Sequence, residues 1–227
     1  MIPLRDTIPS SSFPVVTLGL IVFNTLVFLY QLNLGPREER FVLHYGFVPA
    51  VYFHTSVTEP FNFLARFGPM FTSMFLHGGW FHLVGNMWTL WIFGDNVEDR
   101  LGKVRFFFYY LVSGLAAVYL HYITERTSGM PVIGASGAIA GVMGGYFVLY
   151  PHARILTILP VFIFIQLVTI PAVVFLALWF LGQLLSGVVA TSGQMHGGVA
   201  WWAHVGGFVA GALLIFPLRQ SSSAQRP

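Results

Sequence analysis

The chain has 227 residues, 56% of them hydrophobic and only 8% charged, with no cysteine and a net charge of +3 from 11 Lys and Arg against 8 Asp and Glu. Soluble domains carry roughly 25% charged residues, so this chain lacks the side chains to cover a water-facing surface; it reads as an integral membrane protein forming one compact bundle. The missing cysteines exclude disulfides, thiolate metal sites and a cysteine nucleophile, and the small positive excess reports loop topology rather than a nucleic-acid partner.

The apolar runs are long and continuous, which predicts helices and not the short alternating strands of a membrane barrel. The expected fold is all-α: a polytopic bundle of six transmembrane helices over residues 13–218, between an N-terminal tail at 1–12 and a C-terminal tail at 219–227. The N-terminal tail is polar and expected to fray. The first span, Phe13–Leu32, has no small-residue cleavage site and reads as a retained helix. Asn33–Pro69 mixes Arg37, Glu38, Glu39 and Arg40 with eight aromatic residues, a composition suited to the membrane interface. Met70–Phe93 is expected as the second span, Asp95–Arg105 as a charged turn, and Phe106–Ile123 as the third span. The fourth, Ser136–Tyr150, is short for a crossing of roughly 20 residues, which predicts that its start lies below the surface at the floor of a cavity. Ile155–Ile170 is apolar but interrupted by Pro160 and reads as an interfacial hairpin. Pro171–Ala190 and Val199–Leu218 complete the set, joined by a Gly-rich loop at Thr191–Gly198 that contains His196.

Six spans bring both termini to one side. With the termini inside, the inside segments carry Arg5, Arg100, Lys103, Arg105, Arg154, Arg219 and Arg226; the outside segments carry only Arg37, Arg40, Arg66 and Arg126. This bias predicts cytoplasmic termini. The short tails predict a prokaryotic plasma membrane.

Ser136 and His204 are the candidate chemistry. Ser136 opens a helix, where backbone N–H groups and the positive end of the dipole suit a developing oxyanion. Taken alone, a serine in this position is more often a simple N-cap. Gly137, Gly141 and Gly144 share a face of that helix; Gly207 and Gly211 share a face with His204. Glycine faces let membrane helices approach closely, so the two helices are expected to bring serine and histidine together as a nucleophile and its base. His82 and Asn86, at i and i+4, can point at one spot, either as oxyanion donors or as interhelical hydrogen bonds.

Three motifs in this order, His77…His82-x-x-x-Asn86, Gly134-Ala-Ser136-Gly137 and Ala203-His204-x-x-Gly207-x-x-x-Gly211, resemble those of the rhomboid intramembrane serine proteases, and Gly94–Gly102 resembles the turn after that family's second span. The resemblance implies Ser136 as nucleophile and His204 as general base. It implies an oxyanion hole from the Ser136 N–H with His82 and Asn86. It also implies a membrane-embedded first loop, a cap at Thr191–Gly198 and a substrate gate at span five. Transmembrane protein substrates and the lipid bilayer are the expected partners; no cofactor or metal is expected. One departure stands out: the position one turn after the serine, aromatic in some members, is Ala140. What then orients His204 is open, with Trp201 and Trp202 nearby in sequence. Other protease classes fit poorly, because no His-Glu-x-x-His helix is present and Asp6, Asp95 and Asp99 fall in terminal or loop stretches. No internal repeat points to a transporter. The remaining alternative is an inactive rhomboid-like protein that binds membrane clients.

Overall fold

The computed structural model describes residues 1–59, 61–161, 164–192 and 198–219. After a short strand β1 (Ile2–Asp6), the chain forms α1 (Val15–Asn33), then three short helices, α2 (Glu38–Tyr45), α3 (Pro49–Thr58) and α4 (Phe63–Thr72). The long helices α5 (Trp80–Leu101) and α6 (Lys103–Thr124) follow, then the shorter α7 (Ser136–Leu149). A hairpin of β2 (Arg154–Val161) and β3 (Phe164–Pro171) leads into α8 (Ala172–Thr191) and α9 (Trp201–Leu218). The protein is a mostly helical membrane bundle. Among the described residues, α1, α6, α8 and α9 are long and apolar enough to cross a membrane. By contrast, α7 has 14 residues, and the 22 residues of α5 end in Asp95, Glu98, Asp99 and Arg100.

The all-α expectation needs correction. β1, β2 and β3 form an antiparallel three-stranded sheet in that order, with Ile2 opposite Ile158 and Leu159 opposite Gln166. Pro160 disfavours a helix interior, and Ile155, Thr157, Ile158, Ile165, Val168 and Thr169 are β-branched, so the apolar stretch takes the extended form. The N-terminal tail is not frayed, because β1 completes this sheet. The Trp88 indole N–H donates to the Pro3 carbonyl at 2.7 Å, and Asp6 accepts from the Tyr146 hydroxyl at 2.5 Å and the Asn96 amide at 3.0 Å.

Two helix boundaries also differ from expectation. The second long helix starts at Trp80 and not Met70, because a 3₁₀ turn at Ser73–Phe75 and the Gly78–Gly79 pair interrupt the chain. The charged stretch is no turn: α5 runs through it and stops at Gly102, whose φ of +78° suits glycine. Its carboxylates have a structural reason to lie on the helix. α1 has no capping side chain of its own. Buried Glu98 accepts from the Val16 and Thr17 N–H groups at 3.0 and 2.7 Å and from the Thr17 hydroxyl at 2.8 Å. Asp99 accepts from the Ser11 and Ser12 hydroxyls, both at 2.6 Å. A neighbouring helix thus supplies the acceptors for the N–H groups that every helix start leaves open.

α7 is the central helix, buried almost throughout and packed against α5, α6 and α9. Its C-terminal end meets β1 through Tyr146, at the same end of the bundle as Asp99 and as Leu218, whose carbonyl accepts from Arg105. The N-terminal ends of α5, α7 and α9 lie at the opposite end, around a common cavity.

Candidate active site

The cavity has a volume of about 440 Å³ and is lined by His82, Asn86, Gly134, Ser136, Ala200 and His204, among others. Ser136 is the first residue of α7 and is not its cap; Ala135 holds that position, and no side chain caps the helix. The Ser136 hydroxyl instead lies 2.8 Å from His204 Nε2. That separation is within the range required of a nucleophile and its base.

The glycines explain the approach of the two helices. A Cβ on Gly207 would overlap the Gly137 carbonyl, and one on Gly211 would overlap that of Gly141. Gly144 faces the Phe208 carbonyl on α9 in the same way. Gly137 and Gly141 do not point mainly at α9. Their hydrogens face Ala117 and Ser113 on α6, so α7 is squeezed from two sides.

His82 and Asn86 stand on the first turns of α5, across the cavity from α9. The Gly78 N–H donates to His82 Nδ1 at 3.4 Å, which leaves Nε2 as the protonated nitrogen. Nε2 points at the loop before Ser136, where a Cβ on Gly134 would stand only 2.6 Å from it. Gly134 has a φ of +121°, and its N–H donates to the Ser73 carbonyl at 2.9 Å. The positive φ and the close approach of His82 both require glycine there. The Asn86 amide donates to His77 Nε2 at 3.0 Å. His77 is itself pinned to α1, where the Gln31 side chain donates to its carbonyl at 3.1 Å and accepts from its N–H at 3.0 Å. The amide and the imidazole are therefore held by one segment, His77–Gly78, which is itself tied to α1.

The orientation of His204 is answered from an unexpected helix. His204 Nδ1 lies 2.7 Å from the Gln183 carboxamide oxygen on α8. The Trp179 ring, one turn before Gln183, lies over the imidazole at a centroid distance of 6.0 Å and a tilt of 34°. Trp201 meets it edge-on at 6.2 Å, whereas the Trp202 indole turns away to donate to the Thr191 hydroxyl at 2.8 Å. Ala140 is buried against the α9 backbone, where an aromatic ring would not fit. Sequence reasoning passed over Gln183, although a lone carboxamide in an otherwise apolar helix is a signal in itself. His44, His54, His121 and His152 do not line the cavity. His196 lies outside the described residues.

A serine–histidine pair and two further polar side chains thus line one cavity of about 440 Å³ at one end of a membrane bundle. The Rhomboid domain model matches residues 65–221. Presenilin-associated rhomboid-like protein A, mitochondrial, of Danio rerio is 30% identical over 205 residues, covering 87% of this chain and 46% of that protein. Rhomboid protein 1, mitochondrial, of Saccharomyces cerevisiae is 29% identical over 213 residues, covering 92% of this chain and 54% of its own. RHOMBOID-like protein 6, mitochondrial, of Arabidopsis thaliana is 40% identical over 75 residues, 33% of this chain and 24% of that one. The chain belongs to the rhomboid family. It spans about half or less of the length of these curated relatives. They also overturn one expectation: a prokaryotic plasma membrane with cytoplasmic termini has no support from relatives that are all mitochondrial proteins of eukaryotes. Charge bias ranks the two faces of a membrane against each other, and neither it nor tail length carries information about which membrane is meant.

Proposed function

We propose that this chain is an intramembrane serine endopeptidase that cleaves transmembrane protein substrates in or near the bilayer. The 2.8 Å contact between the Ser136 hydroxyl and His204 Nε2, open to the cavity, carries this reading. His204 takes the hydroxyl proton as Ser136 Oγ bonds to the substrate carbonyl carbon. The resulting oxyanion is received by the Ser136 N–H, the His82 Nε2–H and the Asn86 amide. His204 then passes its proton to the leaving amine as the peptide bond breaks. A water molecule, deprotonated by the same histidine, releases the acyl group. Intact Ser136 and His204 argue against a client-binding protein without activity.

We read six spans, with α5 and α7 joining the four helices long and apolar enough to cross, because an even number is needed for α5, α7 and α9 to open on one cavity while β1 and the end of α9 meet at the other end. The test is cleavage of a single-span substrate by the purified protein in detergent and in vesicles. Cleavage that is lost in Ser136→Ala supports the proposal. Equal cleavage by that variant, or none by the wild type on a panel of such substrates, overturns it.

A further inference from the structure

The hydrogen bond between Gln183 and His204 has chemical consequences for the base. A carboxamide oxygen can only accept, so a Gln183 oxygen at 2.7 Å requires a proton on His204 Nδ1. A neutral imidazole carries one proton, which leaves the Nε2 lone pair directed at Ser136, 2.8 Å away. The opposite tautomer would put a hydrogen between Nε2 and the hydroxyl and could not accept the serine proton. Gln183 also fixes the ring plane, together with Trp179 one turn earlier on the same face of α8.

We propose that Gln183 is the positioning residue of the base: it holds the proton on His204 Nδ1 and so selects the tautomer that can deprotonate Ser136. This inference rests on the reading of Ser136 and His204 as nucleophile and base. Gln183 does the orienting that a buried carboxylate does in soluble triads, without adding charge to an apolar helix, where a carboxylate would be costly. The contact crosses from α8 to α9, so the base is set only while those two helices are packed together. It also fills the role left vacant by Ala140, since Gly207 lies against Ala140 and no ring can stack from that side.

Three variants separate this role from mere packing. Gln183→Leu keeps the approximate volume and removes the acceptor. It should lower kcat about 10- to 100-fold, the range seen when a metal-bound imidazole loses the partner that orients it, while KM for a single-span substrate changes less than about threefold. Gln183→Asn, one methylene short of His204, should behave like Gln183→Leu. Gln183→Glu restores an acceptor and should recover most of kcat. Because its carboxylate favours the protonated imidazolium, the acid limb of its pH–rate profile should move to higher pH. Among the described residues, the other titratable groups acting on His204 are His82 on α5 and His121 on α6, which are the same in every variant. A structural role alone would move neither the profile nor the kcat-to-KM split.

A readout independent of cleavage uses ¹⁵N-histidine NMR of the Ser136→Ala protein. His204 should be protonated at Nδ1 with Gln183 present and lose that preference in the Ser136→Ala, Gln183→Leu double variant. The proposal is overturned if Gln183→Leu retains wild-type kcat, or if His204 carries its proton on Nε2 with Gln183 in place. Absence of cleavage by the wild type would overturn the protease reading instead, and the NMR result would still decide the role of Gln183.

Discussion

Gly207→Ala should disable the site without touching a reacting group. Gly207 lies one turn after His204, and its missing side chain faces the residue next to Ser136. The added Cβ would overlap the Gly137 carbonyl oxygen, stand 2.9 Å from its carbon and 3.3 Å from the Ala140 Cβ. Backbone cannot yield as the end of a flexible side chain does, so α7 and α9 must separate by about 1 Å to restore ordinary contact. Applied at the site, that separation stretches the Ser136–His204 contact from 2.8 Å to roughly 3.8 Å, beyond a hydrogen bond. A misplacement of about 1 Å can cost on the order of 10²-fold in rate. The assay compares kcat/KM for a single-span substrate in wild type, Gly207→Ala and Gly19→Ala, with thermal unfolding in detergent as the control for folding. Gly19 has open space where its Cβ would go, so that variant should retain full activity. Wild-type turnover by folded Gly207→Ala would refute the idea that the glycine contact sets the distance within the pair.

Three further outcomes are expected. Ser136→Ala and His204→Ala should each abolish cleavage, and the double variant should be no worse than either, as measured by single-turnover rates, because the two groups act as a unit. His82→Ala and Asn86→Ala should each lower kcat by about 10²–10³ with little change in KM, since oxyanion donors act mainly in the transition state; unchanged kcat would leave them only structural. Glu98→Gln should destabilise the protein by about 2 kcal/mol in a thermal or denaturant titration, because the buried carboxylate accepts three hydrogen bonds at the start of α1 and a neutral amide accepts them less well.

The membrane class, the ends of α7, α8 and α9, and the identity of Ser136, His204, His82 and Asn86 as candidates were all legible in the chain. Apolar run length, glycine spacing and polar residues in apolar helices are local properties, and each leaves a mark on a linear sequence. The boundaries that were misjudged have a common cause. Composition marked Asp95–Arg105 as a turn because charge disfavours a membrane helix. The carboxylates of Glu98 and Asp99 stay on α5 because the start of α1, more than eighty residues away in the chain, needs acceptors. Likewise, nothing in residues 1–12 reveals a strand, because a strand exists only against its partner, and that partner is β2.

The same division runs through the site. Sequence alone determined which side chains could do chemistry and that glycines would let their helices meet. The tertiary structure decided which way those glycines face, Gly207 toward α7 but Gly137 and Gly141 toward α6. It also decided what meets His204, joining Gln183 on α8 to it across 21 residues of chain. Helical periodicity relates residues three and four apart on one helix. The contacts between helices depend on rotation and separation, which arise only when all the faces pack at once.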